Sequence, residues 1–180
     1  MKKYKITLAV FFLWMMSFGS LGNIFASADH DLTPYTGSVE FEKIKALAGN
    51  WEGTVTEPDG KVDKAGAKYQ VTSGGSAVVE TLFPGTPHEM VSVYYDKNGK
   101  LTMMHYCMLK SKPELELTQS SGNVMELALS SSVQGFDPSK DSHMHALKIT
   151  LSDKDHLIQN WSHSEEGQIK GTNTINLSRV

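Results

Sequence analysis

From Trp51 to the C-terminus, apolar and polar residues alternate in short runs, and most runs end at a turn-forming pair. Trp51, Gly53 and Val55 alternate with Glu52, Thr54 and Thr56, and Ala67, Tyr69 and Val71 with Lys68, Gln70 and Thr72. Successive side chains of a strand point to opposite faces, so each such run has one apolar face to bury. The pattern predicts strands over 51–56, 67–72, 77–83, 90–95, 101–108, 115–118, 124–130, 143–151, 156–164 and 169–178. Between them stand Asp59-Gly60, Gly74-Gly75, Asn98-Gly99, Gly122-Asn123, the 153–155 segment and the 165–167 segment. Asn-Gly is the strongest hairpin signal of the set, because both central positions of its turn take positive φ. Upstream, Ser38 can cap a helix predicted over 39–48, with Phe41, Ile44 and Leu47 on one stripe and Gly49 stopping it.

About ten strands joined mainly by short turns predict an all-β fold. A sheet of that many strands must close or fold over to remove its edges. The expected architecture is an up-and-down antiparallel barrel of about ten strands with one short N-terminal helix, a two-layer sandwich being the alternative. One strand departs from the alternation. Met103 to Met108 is apolar on both faces, so Met104, Tyr106 and Met108 are expected either beneath the helix or in a homodimer contact.

Residues 1–28 read as a secretory signal peptide. Lys2, Lys3 and Lys5 precede an apolar stretch from Ile6 to Met16, and Ala26-Ser27-Ala28 is a small-residue cleavage site. A retained leader would instead act as a membrane anchor. Residues 29–37 read as a flexible lead-in and 38–180 as one domain. Removing three lysines and no acid takes the formal charge from −3 to −6, which leaves nothing basic to bind nucleic acid or anionic lipid. A periplasmic or secreted protein with no stable membrane anchor is expected. The single cysteine, Cys107, excludes an internal disulfide and lies far from the cleavage site. A buried thiol, an intermolecular crosslink and a metal ligand remain open for it.

The segment Leu47-Ala48-Gly49-Asn50-Trp51-Glu52-Gly53, entered from a short helix and followed by meandering strands, resembles the opening of lipocalin-type barrels. In that family a Gly-x-Trp motif begins the first strand and the Trp plugs one barrel end. The Gly-x-Trp-x-Gly form is also similar to the start of nitrobindin-like and fatty-acid-binding-protein-like ten-stranded barrels. The nitrobindin-like resemblance implies a haem held by a late-strand histidine, for which His143, His145, His156 and His163 all qualify by position.

The chemistry concentrates in His105-Tyr106-Cys107 and His143-Met144-His145. By strand alternation His105 and Cys107 share a face with Leu101 and Met103, and His143 and His145 with Leu147, Ile149 and Leu151. Those are the apolar faces, and an inward imidazole needs a partner or a ligand. The expected site is a barrel interior that binds a small, partly apolar molecule, lined by Trp51, Tyr69, His105, Cys107, His143, His145 and Trp161. Phe83, Met103 and Leu127 are further inward candidates, and the 84–89 segment is the candidate mouth loop. The alternative is a metal or haem centre using the same histidines and cysteine, which requires the fifth and eighth strands to meet. A third reading is a small barrel enzyme with a histidine general base. No Gly-x-Ser-x-Gly motif or phosphate loop supports the enzyme reading.

Overall fold

The computed structural model describes residues 33–132 and 135–180. The expected signal peptide lies outside the described residues. Helix α1 (Val39–Lys45) is followed by ten strands: β1 (Gly49–Thr56), β2 (Val62–Thr72), β3 (Ala77–Leu82), β4 (Met90–Lys97) and β5 (Lys100–Tyr106), then β6 (Glu114–Ser121), β7 (Val124–Leu129), β8 (His143–Leu151), β9 (His156–Glu165) and β10 (Gln168–Arg179). Each strand pairs antiparallel with its sequence neighbour, and β1 pairs with β10 to close the barrel. Closure pairs both edges of the sheet, and the sandwich alternative falls away.

Local chemistry accounts for the elements. Ser38 Oγ accepts from Phe41 N at 3.2 Å to cap α1, and Asp96 on β4 accepts from Ser38 N and Oγ at 2.5 and 2.7 Å. The helix is thereby tied to one end of the barrel, and Phe41, Ile44 and Leu47 are buried there. Beneath it lies Trp51, whose Nε1 donates to Leu47 O at 2.8 Å while the Arg179 guanidinium sits 4.3 Å from its ring. Arg179 also donates to the Ala48 and Ala46 carbonyls at the end of the helix, at 2.7 and 3.0 Å. Helix, tryptophan and arginine together close this end. Asn98 and Gly99 take φ of 56° and 75°, the left-handed pair that a two-residue hairpin turn requires.

Three boundaries differ from expectation in ways that matter. The helix stops at Lys45 and caps the barrel end, so it does not cover the outer face of β5, and Tyr106 and Met108 stand exposed. β5 ends at Tyr106 because Cys107 starts a tight turn, its carbonyl accepting from Lys110 N at 3.0 Å. In β8 the register against β9 skips from Met144↔His163 to Ala146↔Ser162, leaving His145 as the extra residue of a bulge.

Candidate functional site

The register sets one row of inward side chains across four strands. Tyr69 on β2 pairs with Glu80 on β3, Glu80 with Ser92 on β4, and Ser92 with His105 on β5. All four are buried. Neighbours on one face of adjacent strands lie within side-chain reach, so the row becomes a hydrogen-bonded chain. Tyr69 Oη donates to Glu80 Oε1 at 2.6 Å, and Tyr94 Oη donates to Oε2 at 2.9 Å. Gln159 from β9 donates its Nε2 to the same carboxylate at 2.5 Å, and Ser92 contributes a further hydrogen bond.

Four donors on two oxygens suit an anion. Burial pushes the Glu80 carboxyl above its ordinary range, and those four hydrogen bonds work against that rise. Burial, followed by the Glu80 charge, holds the Tyr69 and Tyr94 hydroxyls well above theirs, so both remain donors. Ser92 Oγ lies 3.0 Å from His105 Nδ1. With Nδ1 occupied by the Ser92 hydroxyl, Nε2 is the ring nitrogen left at the cavity. Burial lowers the His105 pKa from 6.5 to about 4, which keeps the ring neutral at physiological pH. This order of groups places the serine between acid and imidazole. It orients a base and does not activate a nucleophile.

His105 Nε2 is buried and has no hydrogen-bond partner among the described residues. The ring borders a cavity of about 50 Å³ formed with Leu82, Phe83, Met90, Met144, Trp161 and Ile175 among others. Trp161 lies against His105 with ring centroids 4.6 Å apart, its Nε1 held by Gln159 Oε1 at 2.8 Å. Met90 and Met144 also border an outer groove of about 440 Å³, together with Cys107, Met108, Leu109 and His163. His163 Nε2 is a second buried nitrogen without a partner among the described residues. The cavity and groove sit at the end of the barrel opposite the helix. Phe83, Thr86 and His88, all in the β3–β4 connection, border an adjoining groove of about 560 Å³, so the expected mouth loop lies at this open end.

The residues expected to share one site separate into four groups. His105 and Trp161 meet at the open-end cavity. Trp51 and Tyr69 are interior but deeper, Trp51 under the helix and Tyr69 in the polar row. Cys107 lies at the rim, half-buried, with burial raising its thiol pKa. His143 and His145 do not share the inner face with Leu147. The bulge at His145 shifts the alternation by one, so Met144 takes the inward position opposite His163. His143 packs against Phe136 at 5.0 Å on the other face, its Nδ1 at 2.8 Å from Asp141 O and its Nε2 at 3.3 Å from His145 Nδ1. Burial, then the neighbouring His143, lowers the His145 pKa.

The bulge turns His143 and His145 away from the face that carries His105, and Cys107 lies at the rim, so the His/Cys set expected from four positions is not assembled. Among the described residues no three His, Cys, Asp or Glu side chains gather as a metal site. Glu80, Ser92, Gln159, Met90 and Met144 were missed by sequence reasoning, and His163 was named only as a candidate haem ligand. Glu80 alone carried a usable signal, as an acid between Val78 and Leu82 on an apolar face.

No protein-family model and no curated protein matches the chain. Among solved structures it is similar to a protein of unknown function from the DUF3598 family of Nostoc punctiforme PCC 73102. That likeness has a TM-score of 0.51 and 13% identity, over 76% of this chain and 49% of that one. The chain thus spans about half the length of that relative. A redesigned β-barrel aligns at 16% identity and a TM-score of 0.37, over 76% of this chain and 94% of its own. At such identity the first likeness supports the fold alone: the protein is a ten-stranded antiparallel β-barrel.

Proposed function

We propose that the protein is an exported binding barrel, periplasmic or secreted, that takes one small ligand at the open end of its lumen with His105 as the polar anchor. The observation that carries this is the buried, unpartnered Nε2 at the edge of a cavity. An unsatisfied buried polar atom costs roughly 1–3 kcal/mol, and a ligand that engages it recovers that cost. In this reading the Ser92 hydroxyl holds the hydrogen on Nδ1, so Nε2 is an electron-pair donor. The occupant must therefore either donate a hydrogen bond or act as a Lewis acid.

Size narrows the ligand. A lumen cavity of about 50 Å³ admits a few heavy atoms, far below the several hundred Å³ of a typical organic-ligand pocket. A larger molecule would place only its head inside and lay a partly apolar body in the groove of Met108, Leu109 and Cys107. The test is native mass spectrometry of protein recovered from the exporting host, followed by thermal shift against small phenols and silver(I). We expect a chain beginning after Ala28, and at least one of the probes should raise the melting temperature in the wild type but not in His105→Leu. No retained mass and no shift with any probe, or an equal shift in the variant, would remove His105 from a binding role.

A further inference from the structure

The cavity that borders His105 is also lined by two thioethers, Met90 and Met144, and by the Trp161 ring. We infer that this His105–Met90–Met144 set is a binding site for a soft monovalent cation, copper(I) or its analogue silver(I), with the Trp161 face against the ion. The inference rests on the lumenal-ligand reading above and names its ligand class.

Donor chemistry selects the ion. Thioether sulfur is a soft, uncharged ligand that prefers copper(I), and imidazole accompanies it readily. A hard divalent ion calls for oxygen ligands, and zinc favours thiolate, imidazole and carboxylate. The cavity lining includes no carboxylate and no thiol, and its one side-chain oxygen is the neutral amide of Asn173. Charge points the same way. Three neutral donors leave the full ionic charge in an apolar interior, where the desolvation cost rises steeply with charge. Glu80, the one buried carboxyl among the described residues, lies behind His105 on the same row and can balance no more than a single positive charge. That carboxylate–serine–imidazole row is the outer support a metal-binding histidine needs, holding the ring by Nδ1. Trp161 presents an aromatic ring to the cavity, where cation–π attraction is strongest for desolvated ions.

The bulge is what creates the set. Without the extra residue at His145, regular alternation would turn Met144 outward and the cavity would lose a sulfur. Outside the cavity, Cys107 and His163 border the groove with the same two methionines, so soft donors also line the approach.

The experiment titrates the full-length exported protein with silver(I) alone, and with copper(I) against a chromogenic copper(I) chelator, reading stoichiometry by native mass spectrometry and Trp fluorescence. We expect one ion per chain, quenching that is lost in Trp161→Phe, and no retention of zinc(II). Met90→Leu and Met144→Leu conserve core volume and are expected to fold, and each should weaken silver(I) affinity by at least about tenfold. Ser92→Ala should weaken it by about tenfold through loss of the outer support. Cys107→Ser should leave stoichiometry at one. Silver(I) binding that is unchanged in both methionine variants, or abolished by Cys107→Ser alone, overturns the inference. A thermal shift with phenols but no silver(I) or copper(I) binding overturns the cation and preserves the lumenal-ligand reading. Failure of all probes ends both.

Discussion

The neutral, buried imidazole of His105 makes a quantitative prediction about acid stability. In the unfolded chain the ring titrates near 6.5, and in the barrel burial holds it at about 4. As pH falls below 6.5 the unfolded state takes up a proton that the folded state refuses until about pH 4. Folding therefore loses stability across that window, and the contribution is intact above it. At about 1.4 kcal/mol per pH unit, the full loss is about 3 kcal/mol. Glu80 acts with the opposite sign: its raised folded value gives stability that is present below the unfolded carboxyl range and lost as pH rises through the folded value. His105→Leu removes the first effect and keeps the second, so the difference between wild type and variant isolates the imidazole. Urea unfolding of both proteins, from about pH 7.5 down to about pH 4, measures it. Above pH 7 the difference should be constant. By pH 4 it should have moved by about 3 kcal/mol in favour of the variant. A difference that changes by less than about 1 kcal/mol would mean that the ring is solvated or already paired, and the lone-pair argument would fail with it.

Two further outcomes test the closed end of the barrel. Trp51→Ala should cost about 3–5 kcal/mol in chemical denaturation, because it empties a buried site and removes both the hydrogen bond to Leu47 and the face on which Arg179 rests; a loss below about 1 kcal/mol would show that the helix end does not depend on it. Gly53→Ala should destabilise by about 3 kcal/mol or block folding, since a Cβ there would lie 1.8 Å from the Asn176 backbone oxygen across the β1–β10 seam; an unchanged melting temperature would show that the closing strands can separate.

The sequence by itself carried the parts of this protein that are local. Ten strands, their short turns, the helix cap at Ser38 and the inward face of most strands follow from period-two alternation and turn chemistry within a few residues of each position. Trp51, Tyr69, Met103, His105, Leu127 and Trp161 are buried on the faces that alternation assigned to them. Tertiary structure decided what depends on register and closure. A bulge of one residue at His145 reversed the faces of the preceding histidine and methionine, His143 and Met144, and nothing in the His143-Met144-His145 triplet announces an insertion that is defined only against β9. The same limit hid the Glu80 network: an inward acid was visible between Val78 and Leu82, but its donors come from β2, β4 and β9, which only the closed barrel brings to one level. The unpartnered Nε2 of His105 is a property of that assembly, since the hydroxyl that occupies Nδ1 sits on a neighbouring strand and the side chains that enclose the ring come from β3, β4, β8 and β9.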